Sequence, residues 1–465
     1  MRTTLRDHAP TLLVAALAAG FGTALLQITG VLAAVIRRNP LLGDHETTTI
    51  MLNITAYVFI VIAVYVGGVV TTNTVATVVA GRRRTIALLR LIGRGAAQER
   101  ARIAREGVTI GVAGAVIGCL VGTAFAAAVA AVAVHAGLFP PPHYSYANPV
   151  VLIAVTGVAL TTWLATWVGS RRVLAVRPTE ALGNAVEQDS ERAAGGRGRL
   201  AAAIALTALG VAALGAGLAI GQLSPLGVLA ALAGGLLSFT GIVLESARFI
   251  PPVLRLVGRL FARTQAGRLA VENALRHPER SARMTIGLVI GVTLVTTFAV
   301  TMQSFRDLIA AAQRAQPEVY EGTGQILDAI TAVFTVLIGF SALIAAVGLV
   351  TSLSLNVLQR TRELGLLRAL GTAAAQLRSM ILAEAAALTL TALVIGLALG
   401  FAYGWVGTQS LIGWIKGSPG FIAPGVPWGM LAGQLAAAVV LTLAASVAPS
   451  RRATRVSPIA ALAVD

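Results

Sequence analysis

The chain has 465 residues, of which 56% are hydrophobic and 12% charged, with a net charge of +17 and a mean hydropathy of +0.82. A water-soluble domain carries roughly 25% charged residues and has to wet a surface that grows with its size, so this composition excludes a soluble fold of this length and makes the bilayer the natural solvent. The single cysteine, Cys119, excludes a disulfide framework or a cysteine metal site within one chain.

A spanning helix needs about 20 mainly apolar residues. Ten segments qualify: 11–36, 50–80, 107–135, 149–169, 200–221, 225–246, 284–305, 326–358, 381–409 and 427–449. They are unbroken runs without the alternation of barrel strands, so the expected fold is an all-α polytopic membrane protein. Arg2 and Arg6 precede the first run as in a signal peptide, but the run is longer than a signal core and shows no evident cleavage site, so it reads as the first span. Spans 2 and 8 exceed a bilayer core of about 30 Å and are expected to project as stalks. His135 and His143 flank the Pro140–Pro142 turn after span 3; without a cysteine or carboxylate cluster they read as surface-loop residues. The segment 183–199, with Gly195 and Gly196, reads as a mobile cytosolic loop. Phe249–Arg268 reads as a basic amphipathic interfacial helix after Pro251–Pro252.

The charges orient these spans. With the N-terminus inside, 31 of the 36 basic residues fall on the inner side, and Arg37, Arg38, Arg306, Arg314 and Lys416 on the outer side. That asymmetry is the positive-inside pattern. It accounts for the basic character through topology and anionic lipid headgroups rather than nucleic acid. The outer loops are short, with no room for a folded extracytoplasmic domain.

The chain also repeats itself. IALLRLIGRGAAQ at 86–98 matches LGLLRALGTAAAQ at 364–376 at seven of thirteen positions, with an offset of 278. The offset carries on through Glu106 and Glu384, Gly118 and Gly396, and Gly122 and Gly400; SRRVLAVRPTEAL at 170–182 matches SRRATRVSPIAAL at 450–462 with an offset of 280. Two anchors so far apart with nearly one offset define an internal repeat. The layout is therefore 4+2+4: residues 1–182 form the first four-helix module, 183–248 a cytosolic linker and a two-helix insert, and 249–465 a lead-in and the second module. An even number of spans per repeat makes the repeats parallel, about an axis along the membrane normal.

Each repeat has a short apolar and basic block beyond its long span. In the first, Ile86, Leu88 and Leu89 surround Arg90 and the block ends at Gly93; in the second, Glu363, Leu366 and Leu367 precede Arg368 and the block ends at Gly371. A glycine there suits the left-handed residue that closes a helix. Two readings stay open: a helix lying in the interface with arginine on phosphates, or an apolar ridge inserted into a soluble partner. Two copies of one block favour the partner. Glu106 and Glu384 are candidate coupling carboxylates; the alternative is pairing with Arg102 or Arg378 on the same helix face.

These blocks carry a resemblance. RTRELGLLRALGTAAAQLRSMILAEAAALTLTALVIGLALG followed by PSRRATRVSPIAAL, and the matching first copy, resemble the FtsX/MacB-like permease family, the type VII ABC transporters. The resemblance implies that 84–98 and 362–376 are coupling helices that dock on two copies of a separate ABC ATPase, which would hold ATP and Mg. Thr85 stands where the second copy has Glu363, and the outer domain that many relatives insert after the first span of a module is absent. The chain has no G-x-x-x-x-G-K-[ST] loop, so no cofactor and no catalytic site is expected on it. The expected function is a permease subunit in the bacterial cytoplasmic membrane, with both termini cytoplasmic. It would export or extract a hydrophobic or amphipathic substrate such as a peptide antibiotic, lipid or drug, with membrane lipids around it. The alternative is a mechanical transmitter that activates an outer-side hydrolase or sensor kinase without moving cargo. An ion-coupled carrier is disfavoured by the shortage of charges within the spans.

Overall fold

The computed structural model describes residues 5–37, 46–81, 88–89, 95–135, 137, 144–146, 150–170, 197–315, 371–414 and 421–455. Among them, regular structure is helical throughout: α1 (Leu5–Arg37), α2 (Glu46–Gly81), α3 (Ala96–His135), α4 (Val150–Gly169), α5 (Arg197–Gly221), α6 (Gly227–Leu244), α7 (Ser246–Gly258), α8 (Gln265–Arg276), α9 (Pro278–Ala315), α10 (Ala374–Ile412) and α11 (Trp428–Arg455). Six are long and apolar enough to cross a membrane, namely α1, α3, α5, α6, α9 and α10. Shorter apolar stretches lie in α2 (Tyr57–Thr72), α4 (Val155–Val168) and α11 (Trp428–Val440). The expected span 326–358 lies outside the described residues.

The helices run longer than their apolar cores. α2 has 36 residues, about 54 Å at 1.5 Å per residue, longer than a bilayer core of about 30 Å. Inside an apolar medium a hydroxyl has few partners other than its own helix, and here Thr166, Thr207, Ser238, Thr285, Ser304 and Thr391 each donate to the carbonyl four residues back.

Glycines set how the helices pair. A methyl at Gly118 or Gly122 of α3 would strike the α1 backbone at Ala16 and Gly20; at Gly396 it would meet Val292 of α9, and at Gly400 Thr296. Contacts advance in the same direction along both members, so α1 and α3 are parallel, as are α9 and α10. The spacing predicted tight packing here, and the partners are now identified. α2 returns antiparallel to α1, with Gly67 against Ala18 and Gly22 against Ala63; α4 returns antiparallel to α3, with Gly111 against Thr162. In the second repeat the matching contact is a hydrogen bond of 3.1 Å from Thr442 of α11 to Thr389 of α10. At the distal end Gln27 of α1 receives the Tyr144 hydroxyl at 2.8 Å and donates to the Tyr146 carbonyl at 2.8 Å, while Ser304 of α9 accepts the Gly425 N–H at 2.9 Å. In both repeats, the first helix thus holds the loop before the last.

The first module meets the second along α2 and α9. Phe59 and Phe298 pack edge to face at 5.7 Å within a buried group that includes Phe21, Leu25 and Val295. The insert, α5 and α6, is an antiparallel hairpin packed through Gly210, Gly217 and Gly234. It lies against α10, where Gly221 approaches the Ser410 backbone.

The segment expected as one amphipathic helix, Phe249–Arg268, is two helices. A single turn of 3₁₀ helix at Arg259–Phe261 ends the first, and Thr264 starts the second by accepting the Gly267 N–H at 3.1 Å. This elbow is also not a purely interfacial element. Ile250, Leu254, Ala270 and Ala274 are buried against α9 and α10, while Phe249, Leu256, Leu260 and Leu269 stay exposed.

Candidate functional site

Of the expected coupling residues, Leu88, Leu89 and Gly371 fall within the described residues. Leu88 is helical and 49% exposed. Gly371 has φ +94°, the left-handed conformation expected of it, immediately before α10. There Gln376 accepts the Ala373 N–H at 3.1 Å and caps the new helix. Ile86, Arg90, Gly93, Glu363, Leu366, Leu367 and Arg368 lie outside the described residues. The two carboxylates differ: Glu106 pairs with Arg102 on its own helix at 3.7 Å, whereas Glu384 is buried and accepts from the Asn273 amide of α8 at 3.5 Å. Glu384 therefore ties α10 to the elbow that leads into the second module.

Two chambers lie where the insert meets the modules. The distal chamber, about 200 Å³, is enclosed by α2, α5, α6, α9 and α10, with Phe59, Leu232, Phe239 and Phe298 on its walls. The basal chamber is about 800 Å³ and lies between α2 and α4 on one side and α6, α7 and α9 on the other. That volume is in the range that holds a drug-sized ligand, roughly 300–1,000 Å³. Its walls are apolar, and its end is lined by Arg199, Glu279 and Arg283. Glu245 closes an ion cluster there, with Arg199 at 3.3 Å and Arg248 at 3.0 Å; Glu279 holds Arg283 at 3.6 Å.

Tyr65, Val69 and Leu236 line both chambers. The Tyr65 hydroxyl is 2.8 Å from that of Thr240, and the Tyr403 hydroxyl is 2.9 Å from that of Ser238. One tyrosine comes from each module, and both meet neighbouring hydroxyls on α6. Nothing in the sequence singled out these four residues: a hydroxyl inside an apolar run vanishes in a hydropathy average, and a mid-span tyrosine in need of a partner was the one signal to follow. Arg199 and Arg283 counted only as topology signals until the fold brought them to one chamber.

The arrangement sets apolar walls along the chamber and fixed charges at one end of it. The FtsX-like permease C-terminal family matches residues 57–178 and 335–458, just over half of the chain and one match in each repeat. The chain is 26% identical to an uncharacterized ABC transporter permease, YknZ of Bacillus subtilis, over 145 residues, which is 31% of this chain and 34% of that protein. It is 32% identical to the macrolide export ATP-binding/permease protein MacB of Nitrobacter winogradskyi over 157 residues, or 34% of this chain and 22% of that protein. The aligned stretches thus span about a third and about a fifth of those relatives' lengths.

Proposed function

The chain belongs to the FtsX-like permease family, and from that premise we propose that it is the membrane subunit of an ABC transporter that moves an amphipathic substrate through the basal chamber. The observation that carries this reading is the chamber itself: a ligand-sized apolar space between the first module and the insert, with fixed charges at one end. Two copies of a separate ATPase, carrying ATP and Mg, would dock on the blocks at 84–98 and 362–376. The repeat of the block supports two docking sites, and the exposed Leu88 supports an apolar ridge in the first. The arginine-rich ends would face the cytoplasm, with both termini there. Substrate would enter laterally from the membrane and leave on the outer side by export or extraction.

The test is co-purification with an ABC ATPase from the same genome, then ATP hydrolysis in lipid against peptides, lipids and apolar drugs. We expect one class to stimulate hydrolysis, and Leu89→Asp combined with Leu367→Asp to abolish that stimulation. Normal stimulation in the double variant would sink the docking reading. A stable complex that no compound stimulates would point to mechanical transmission instead.

A further inference from the structure

The block at 84–98 ends inside the first turn of α3, which begins at Ala96. Arg100 follows on the same helix. Its guanidinium carbon stands 4.1 Å from the centre of the Trp167 ring, near the end of α4, and its Nη2 donates to the Trp167 carbonyl at 3.3 Å. A cation suits this place, because the last carbonyls of a helix form its negative end and an indole face attracts positive charge. Ser170 donates to the same carbonyl at 2.9 Å, so the end of α4 stays capped without Arg100. Beyond this contact α3 and α4 have no room to slide: a methyl at Gly107 would strike Thr166, and one at Gly111 would meet Thr162. Along α4, Trp167 is flanked by Leu164, Ala165 and Val168, which line the basal chamber. The repeat sets this contact apart: Arg378 stands 278 places beyond Arg100, but the residue 280 places beyond Trp167 is Val447. The second repeat keeps the arginine and has no ring at that position.

We propose that Arg100 is a positioning residue that ties the first docking block to the α4 wall of the basal chamber, so that a shift of the block moves that wall. The inference deepens the transport reading by giving a docked ATPase a route to the chamber, and it rests on that reading for the block's role. One helix carries both the end of the block and Arg100. The glycine seam makes α3 and α4 one body, and the contact of Arg100 with Trp167 fixes that body at its base, nearest the block. The second module is built differently: there Glu384 of α10 is joined to α8 through Asn273. The two docking blocks are therefore unequal, and the first one governs the chamber wall.

The experiment uses the full chain carrying Cys119→Ser and Ala165→Cys, purified with and without an ABC ATPase from the same genome. Ala165 is 4% exposed on the chamber wall, so the rate at which a maleimide labels the new thiol reports opening of that wall. Arg100→Lys keeps the charge but loses the planar stack and the fork, and should speed labelling about fivefold. Trp167→Leu should do the same, and Trp167→Phe, which keeps a ring, should do so less. Combining Arg100→Lys with Trp167→Leu should add nothing to either change alone. With the ATPase bound, ATP and vanadate should shift the labelling rate, and Arg100→Lys should cut that shift about fivefold while co-purification and the rate of ATP hydrolysis stay unchanged. Unchanged labelling in the variants, or full additivity of the pair, would overturn the contact. A nucleotide shift that is absent, or that survives Arg100→Lys, would overturn its part in coupling and spare the transport reading. Loss of co-purification in Arg100→Lys would place Arg100 in the docking surface itself and overturn the positioning role. If the parent chain binds no ATPase while labelling still responds to Arg100→Lys, the transport reading fails and the hold of α3 on α4 stands.

Discussion

Tyr65 illustrates how a single hydroxyl is used inside the membrane. Its partner Thr240 already donates to the Leu236 carbonyl at 2.6 Å, so the tyrosine's bond adds to a satisfied group. Removing the Tyr65 hydroxyl therefore strands no buried donor, and the ring keeps its edge contact with Phe239 at 6.4 Å. Tyr65→Phe should cost only about 1 kcal/mol, the net worth of one hydrogen bond. Tyr65→Ala should cost about 3–5 kcal/mol, because it deletes a large side chain that lines both chambers. Denaturant titration of the purified protein measures both. A phenylalanine variant as damaged as the alanine variant would mean that the hydroxyl, rather than the ring, holds α2 to α6.

At the scale of helices, the pairings of α1 with α3 and of α9 with α10 rest on glycines without room for a side chain. Gly118→Ala would push a methyl into the Ala16 carbonyl and toward Ala19 Cβ at 2.7 Å. Backbone cannot step aside as a flexible side chain does, so the cost should be about 1–3 kcal/mol of overpacking. Gly215 of α5 has nothing within 4 Å of an added Cβ. Gly215→Ala should instead gain about 0.5–1 kcal/mol from helix propensity. Measured side by side by thermal unfolding in one detergent, the two variants should shift in opposite directions; equal shifts would show that the close approach at Gly118 does not limit the pairing. The glycine spacing was legible in the sequence because small residues at i and i+4 mark one helix face. The partner faces were not, since the first repeat answers with Ala16, Ala19 and Gly20 and the second with Val292 and Thr296, sets that share no pattern. The elbow was misread for a related reason: its amphipathic period continues across residues 259–264, and only the Thr264 cap shows where the chain turns.

Across the whole molecule, the insert belongs mechanically with the second module. Its hairpin meets α10 by direct backbone approach at Gly221 and Ser410, and at the distal end the Gln222 side chain reaches Gly413. Between the insert and the first module lies the basal chamber, bridged by Tyr65. The repeat announced two equivalent modules, yet the contact between Arg199 and Glu245 joins residues 46 positions apart, and only the folded chain reveals the chamber they end. If the chamber changes volume during transport, α2 must move against α6 while α6 stays with α10. Cys119 is the sole native cysteine, so its replacement by serine leaves a background for paired cross-links. Bridging Gln222→Cys to Gly413→Cys with a short bifunctional reagent should leave substrate-stimulated ATP hydrolysis largely intact. Bridging Val64→Cys to Val243→Cys, both on chamber walls, should abolish it, with activity returning when a cleavable linker is cut. Activity that survives the second bridge would mean that the basal chamber keeps its width through the cycle, and the moving interface would then have to be sought between α2 and α9, where Phe59 meets Phe298.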